Sequence, residues 1–166
     1  MTTTNPIIFR PANVADVPTF SKIINDYAEY GLMLHRSLEY LYDHLRDFYV
    51  AEDTSNQQIV GVCGLSIIWA NLAEVYSLAV IPDQRGQGIG KKLVDACCQA
   101  AKQLQIRRLM TLTYEKDFFT HLGFEVVDRE SLPLKIWSEC LRCAKNQACD
   151  EIAMIKVIQE VPSLQA

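Results

Sequence analysis

The most informative stretch of the chain leads from a predicted strand into a predicted helix and reads Arg85-Gly86-Gln87-Gly88-Ile89-Gly90-Lys91-Lys92. The first N–H groups of a helix have no partner within the helix, and the helix dipole favours an anion there. The three glycines carry no Cβ, so the main chain can approach a phosphate closely. The two lysines stand in the first turn, where the dipole disfavours a cation unless an anion is bound. The stretch predicts a polyphosphate site; the alternative is a glycine-rich turn with solvated lysines.

Two familiar nucleotide motifs do not fit this stretch. A P-loop requires Ser or Thr after Gly-Lys, where this chain has Lys92, and its glycines are spaced more widely. The dinucleotide motif requires G-x-G-x-x-G at the start of a βαβ unit, and neither condition is met here. The predicted ligand is therefore neither a nucleoside triphosphate in a P-loop nor a nicotinamide dinucleotide.

The elements on either side of the stretch alternate between strands and helices. Period-two and apolar runs predict strands at 7–10, 48–52, 59–68, 72–81, 108–113, 124–127 and 151–158. Apolar residues at helical spacing predict helices after an Asn13/Asp16 capping box, at 37–45 with Ser37 as its cap, at 88–104 and at 116–121. Residues 130–145 are ambiguous. This order indicates one α/β domain with a mixed sheet.

Two of these helices have a predicted apolar face. For the helix at 37–45 this face consists of Leu38, Leu41 and Leu45. For the helix at 88–104 it consists of Leu93, Cys97, Ala100 and Leu104. Both sets recur every three or four residues, as expected for the buried side of an amphipathic helix.

Composition excludes several classes of protein. The 166 residues are 49% hydrophobic and 22% charged, which is typical of a single globular domain. There are 16 basic against 20 acidic residues and no basic run, so no nucleic-acid partner is expected. The start of the sequence lacks the pattern of a secretory signal. The apolar passage at 59–82 contains one charge, Glu74, and its glycines and β-branched residues favour two strands over a membrane span. A cytoplasmic protein is expected.

The six cysteines indicate thiols in a reducing compartment. Cys63, Cys97 and Cys98 lie within apolar elements and are predicted to be small core residues. The remaining three form a Cys-x2-Cys-x5-Cys cluster at Cys140, Cys143 and Cys149. This cluster offers a metal three ligands and no nearby His, so local packing is favoured and no metal is predicted.

The glycine stretch resembles the acetyl-CoA motif of the GNAT acetyltransferase superfamily, Arg/Gln-x-x-Gly-x-Gly/Ala, at Arg85, Gly88 and Gly90. Residues 72–80 are similar to the family's fourth strand, and 118–124 resemble its FYxxxGF motif. The resemblance implies a mixed, mostly antiparallel sheet flanked by helices, with splayed fourth and fifth strands and a core at about 6–127. It also implies that pyrophosphate binds at 85–91 and that pantetheine pairs with the fourth strand at Leu78, Ala79 and Val80.

Within that superfamily the chain resembles the short, single-domain N-acetylglutamate synthases. Leu34-His-Arg36-Ser37 is similar to the Leu-x-Arg segment that holds a glutamate carboxylate there, and 132–154 resemble the short form's ending. The resemblance implies acetyl-CoA and L-glutamate as substrates, an acceptor-side segment at about 128–166, and a homodimer. A second cation for the acceptor is sought among Lys135, Arg142 and Lys145. We expect the chain to be too short to contain the kinase-like domain of the longer synthases.

The chemistry requires a base for the acceptor ammonium group and a proton for the leaving thiolate. Glu74 is the predicted base, because it is the single charge in an apolar strand and desolvation favours a stronger base; the alternative is a solvent-facing carboxylate. The usual acid of the FYxxxGF motif is Tyr, but this chain has Phe119, so Tyr114 is the predicted acid. Two other functions stay open: a GNAT enzyme for another amino acid, a polyamine or a protein amine, and a non-catalytic CoA-binding module.

Overall fold

The computed structural model describes residues 6–133 and 150–159. The described strands are β1 Ile7–Pro11, β2 Phe48–Asp53, β3 Gln58–Trp69, β4 Leu72–Val80, β5 Arg108–Thr113, β6 Glu125–Val126 and β7 Ile152–Val157. The described α-helices are α1 Val17–Glu29, α2 Leu38–Asp43, α3 Ile89–Gln103 and α4 Lys116–His121. Their order along the chain is the predicted one. None of the helices in these ranges is both long and apolar enough to cross a membrane.

The chain divides into two compact units. The first unit contains Met1–Leu65 and Ser77–Cys97, and the second contains Ser66–Tyr76 and Cys98–Ala166. Strands β3 and β4 pass through both units, because the division cuts each of them once. The N-terminal half of β4 therefore belongs to the second unit, and its C-terminal half belongs to the first.

In the first unit the strands are hydrogen-bonded in the order β1-β2-β3-β4. β1 pairs antiparallel with β2, and β2 pairs antiparallel with β3. The register of the β2–β3 pair is irregular between Ala51 and Glu52. Helix α3 packs closely against β3 at Gly61, where an added Cβ would lie 3.0 Å from Leu93 Cδ1. The side chains of Phe20 and Phe48 stack at 5.1 Å and join α1 to β2.

Two predicted N-terminal caps are present in the first unit. The Asn13 side chain accepts from Ala15 N–H, and Asp16 accepts from Asn13 N–H, which confirms the capping box before α1. Ser37 Oγ accepts from Tyr40 N–H at 3.0 Å and begins α2. Both helices are thus placed by side chains that satisfy otherwise unpaired backbone donors.

In the second unit the strands are hydrogen-bonded in the order β3-β4-β5-β7-β6. β4 and β5 are parallel, but their ladder covers only Leu72–Arg108 to Glu74–Met110. β7 pairs antiparallel with both β5 and β6. Leu72, Met110, Leu132 and Ala153 form a buried cluster. A short parallel ladder within antiparallel pairing, together with the flanking helices, confirms the predicted fold class.

Three details of the sequence prediction are wrong. Leu38 is 51% exposed and α2 ends at Asp43, because His44 leaves the helical conformation and a 3-10 turn follows. Leu104 is 56% exposed, since α3 ends one residue earlier and Gln105 adopts a φ of 62° that turns the chain away. Strand β6 contains two residues instead of four. The ambiguous passage at 130–145 lies mostly outside the described residues.

Candidate active site

The glycine stretch forms an exposed loop that ends where α3 begins. Gly86 and Gly88 have φ values of 81° and 80°, a left-handed conformation that L side chains rarely adopt. No heavy atom lies within 4 Å of a Cβ added at either position, so both glycines face open space. Lys92 N–H donates to Gly88 O at 3.1 Å and closes the first turn of α3. The N–H groups that precede Lys92 at the start of this helix are the donors from which an anion could accept hydrogen bonds.

The cations of the loop have aromatic neighbours in the first unit. The Arg85 guanidinium lies 5.9 Å from the ring centroid of Tyr27, and Lys92 Nζ lies 5.8 Å from that of Phe9. Both distances are near the outer limit of a cation–π contact. Lys91 and Gln87 are exposed, and Ile89 is buried and anchors the start of the helix.

The C-terminal half of β4 begins with an unusual residue. Ser77 has a φ of 51°, which costs a residue with a Cβ about 1–2 kcal/mol relative to a right-handed conformation. Beyond it, Ile81 N–H donates to Val60 O of β3 at 2.9 Å. The N–H and C=O groups of successive residues in a strand point to opposite sides. The backbone N–H and C=O groups of Val80 therefore point away from β3. Its carbonyl accepts from the Tyr27 hydroxyl at 2.6 Å, which joins α1 to this edge of β4.

Arg36 is held by both its backbone and its side chain. Asn25 Nδ2 donates to Arg36 O and Arg36 N–H donates to Asn25 Oδ1, both at 2.9 Å. The Arg36 guanidinium carbon lies 4.5 Å from the ring centroid of Tyr40. The Tyr40 ring stacks in turn on His44 at 3.9 Å and 15°. Arg36 and the nearby Leu34 are half-buried.

The two predicted catalytic residues belong to the second unit. Glu74 is half-buried on β4 and forms the last pair of the β4–β5 ladder, opposite Met110. Tyr114 is half-buried directly after β5. Phe119 is buried and contacts Phe118 and Phe124 edge to face at 5.0 and 5.1 Å. It therefore packs as part of an aromatic cluster, as its apolar side chain requires.

Several predicted residues lie outside the described part of the chain. These are the acceptor-side cations Lys135, Arg142 and Lys145 and the cysteine cluster Cys140, Cys143 and Cys149. Within 6–133 and 150–159, no three His, Cys, Asp or Glu side chains are grouped so that they could hold a metal ion. Cys63, Cys97 and Cys98 are buried, as predicted, and the sulfurs of the first two lie 3.6 Å apart.

Three pKa shifts in the first unit have clear physical causes. Burial alone would raise the pKa of Asp16, but hydrogen bonds from Arg10 and from Asn13 N–H hold it below its ordinary value of 3.8. The same contact with Asp16 raises the pKa of Arg10. Burial, and then the charge of Cys97, raises the pKa of Tyr49. The start of α1 is therefore fixed by a charged pair that is fully formed at neutral pH.

The first unit thus contains Arg36, the 78–80 segment and the glycine loop, and α1 contacts each of them, Arg36 through Asn25 and the other two through Tyr27. Sequence analysis missed four residues that shape this region: Asn25, Tyr27, Tyr40 and Ser77. The hydroxyl of Tyr27 was the one hint in the sequence of a polar contact. Nothing in the sequence indicated the left-handed conformation at Ser77.

Comparison with known proteins identifies what the chain is similar to. A model of the acetyltransferase (GNAT) family matches residues 17–124. An uncharacterized N-acetyltransferase of Chlorobaculum tepidum is 38% identical over 149 residues, 90% of this chain and 95% of that protein. An amino-acid acetyltransferase of Mycobacterium tuberculosis is 32% identical over 81% of this chain and 78% of its own length. N-acetylglutamate synthase from Neisseria gonorrhoeae, complexed with coenzyme A and N-acetyl-glutamate, has a TM-score of 0.83 at 24% identity, over 93% of this chain and 35% of that one.

Proposed function

The chain belongs to the acetyltransferase (GNAT) family, and on this basis we propose that it transfers the acetyl group of acetyl-CoA to the α-amino group of L-glutamate. The family establishes the class of reaction. The acceptor rests on Arg36, on the amino-acid acetyltransferase relative and on the N-acetyl-glutamate bound by the structural neighbour. A place in arginine biosynthesis, a cytoplasmic location and a homodimer follow from the same proposal.

The donor would bind at the glycine loop and along β4. The two left-handed glycines face open space directly before the N-terminal turn of α3, which suits the pyrophosphate of CoA. Arg85 and Lys91 would supply positive charge. The peptide groups of Leu78, Ala79 and Val80 would pair with pantetheine. The Val80 carbonyl accepts from Tyr27, so we assign the Val80 N–H to this role.

The setting of Arg36 is the main support for glutamate as the acceptor. A guanidinium recognises a carboxylate through two parallel hydrogen bonds, which requires a fixed plane. The Arg36 guanidinium carbon lies over the Tyr40 ring, and Asn25 fixes the backbone that carries the side chain. Leu34 would line the same pocket. Lys135 and Arg142, or Lys145, would bind the second carboxylate of glutamate.

The acceptor nitrogen loses two protons in the reaction and the leaving sulfur gains one, so one proton is released overall. Glu74 would remove the first proton from the glutamate ammonium group, and the neutral nitrogen would attack the thioester carbon. The tetrahedral intermediate would be stabilised by a β4 N–H near Leu78. Collapse breaks the C–S bond, Tyr114 would give its proton to the CoA thiolate, and the second proton of the nitrogen would pass to the tyrosinate. Glu74 is proposed because it is the single charge in its apolar strand.

Thiol release from acetyl-CoA, measured with a panel of amines, tests this function. The panel contains glutamate, aspartate, glutamine and spermidine. We expect glutamate to have the highest kcat/KM and glutamine to be poorer, because glutamine lacks the side-chain carboxylate. Preference for spermidine or for a neutral amino acid would replace glutamate with another acceptor. CoA binding without turnover of any amine would favour a non-catalytic module.

A further inference from the structure

We propose that one turn of α1 positions both substrates: Asn25 positions the arginine that binds the acceptor, and Tyr27 positions the strand and loop that bind the donor. The inference rests on the proposed function, since it assigns residues to the two binding regions defined there. Neither residue is proposed to touch a substrate. Each is a positioning residue that acts through hydrogen bonds to another part of the first unit.

Asn25 fixes the backbone of Arg36 through a closed pair of hydrogen bonds. Its amide accepts from the N–H and donates to the carbonyl of the same residue, both at 2.9 Å. A side-chain amide thus pairs with one residue as a neighbouring strand would. Ser21 Oγ, one turn earlier on α1, accepts from the same Nδ2 at 3.3 Å and holds the amide in this orientation.

The residues that follow Arg36 extend this control to its guanidinium. Ser37 caps α2, and Tyr40 lies in the first turn of that helix with its ring against the guanidinium. The backbone of Arg36 is therefore fixed to α1 and its side chain to α2. Removal of the Asn25 amide would release the first of these attachments and leave the second intact.

Tyr27 links α1 to the donor region by two contacts from one ring. Its hydroxyl donates to Val80 O at 2.6 Å, and its face lies 5.9 Å from the Arg85 guanidinium carbon. The strand end and the first residue of the glycine loop are thus both placed against the same side chain. The hydroxyl is the part of Tyr27 that fixes the strand, and the ring is the part that Arg85 approaches.

The two residues are separable because of their spacing on the helix. Positions two apart differ by about 200° around a helix axis, so Asn25 and Tyr27 point to different sides. A local change at one of them should not reach the other. This separation predicts two opposite kinetic phenotypes from neighbouring substitutions, which a general loss of stability would not produce.

The test compares Asn25→Ala and Tyr27→Phe by steady-state kinetics with both substrates varied. We expect Asn25→Ala to raise the KM for glutamate about tenfold, the cost of one or two buried hydrogen bonds. Its KM for acetyl-CoA should change less than about twofold. Tyr27→Phe should show the reverse, with about a fivefold rise for acetyl-CoA alone. Asn25→Asp keeps the acceptor for Arg36 N–H and loses the donor, so it should show the same selectivity with a distinct glutamate KM.

Equal changes of both KM values in either variant, or no change in both variants, would overturn the inference. Thermal unfolding of each variant controls for stability, and the split in KM is the readout that instability does not mimic. If the wild-type protein acetylates no glutamate, the proposed function fails by itself. The inference is then decided without an acceptor. Faster amide hydrogen exchange at Arg36 in Asn25→Ala and weaker CoA binding in Tyr27→Phe support it, and unchanged values contradict it.

Discussion

The glycine loop and the Arg36 segment are proposed to serve the same purpose, placing positive charge for an anion, by different means. The loop uses backbone: two left-handed glycines and the first N–H groups of α3. The Arg36 segment uses side chains drawn from two helices, Asn25 of α1 and Tyr40 of α2. The residues of a backbone site are consecutive in the sequence, whereas a side-chain site depends on residues that folding brings together. The first is therefore a motif, whereas the side chains that hold Arg36 become apparent only in three dimensions.

The glycine loop and the Arg36 segment are both proposed to bind substrates, so the chemical step should depend on neither. Glu74→Gln tests this separation, and it has the largest expected effect. Loss of the general base should lower kcat about 10²–10⁴-fold with little change in either KM, because a base acts on proton transfer. Steady-state kinetics with both substrates measures this. A kcat within about twofold of wild type across the pH profile would remove Glu74 from the mechanism.

In the acceptor region, glutamate binding should depend on both the charge and the geometry of Arg36. Arg36→Ala should raise the KM for glutamate about 10–100-fold, the range for loss of a charge-assisted hydrogen bond pair. Arg36→Lys should recover only part of this loss, because an ammonium group cannot form the bidentate contact. Acetyl-CoA affinity, measured by calorimetry with CoA, is the control. An equal loss for CoA would mean that Arg36 supports the unit as a whole.

The donor region should instead fail through backbone conformation. Gly88→Val places a β-branched residue at a φ of 80° and should raise the KM for acetyl-CoA about tenfold, with the glutamate KM unchanged. Gln87→Ala is the matched control, because it changes the neighbouring exposed side chain without demanding a left-handed conformation there. If both substitutions had the same effect, the glycine would matter for its surroundings and not for its φ.

The sequence was sufficient for most of the fold because its patterns are local. The order of elements, the two caps at Asn13 and Ser37, and the glycine stretch are each set by a few adjacent residues. The errors arose at the ends of helices and of strand β6. Leu104 fits the helical period, but the left-handed conformation of Gln105 ends the helix before it. Periodicity indicates which face is apolar and does not indicate where the last turn stops.

The candidate site was predictable only where it is a motif. Arg85 to Lys91 and Arg36 were proposed from sequence patterns, and the structure places all of them in the first unit. Asn25 and Tyr27 were not found, because a hydrogen bond to a residue 11 or 53 positions away leaves no trace in local spacing. Ser77 was missed for a different reason. A left-handed serine is held by its surroundings, and its own identity does not require it.

The smallest expected effect concerns α1 itself, the helix on which both regions depend. Asp16, which is 7% exposed, accepts hydrogen bonds from Arg10 at 2.7 and 3.0 Å and caps the start of the helix. Asp16→Asn should lower the free energy of unfolding by about 1–2 kcal/mol at neutral pH, the usual cost of losing such a cap and charged hydrogen bond. Asp26→Asn, which alters an exposed pair with Lys22 on the same helix, should cost less than about 1 kcal/mol.

The pH dependence of this difference identifies its cause. The pKa of Asp16 is lower in the folded protein than its ordinary value of 3.8, so its ionised form stabilises the fold above that pH. The stability is lost as the pH falls through the folded pKa, and the wild-type and Asp16→Asn curves should converge below 3.8. Urea unfolding at a series of pH values measures this. A gap that stays constant on acidification would assign the loss to packing, and α1 would then support both regions through its core contacts alone.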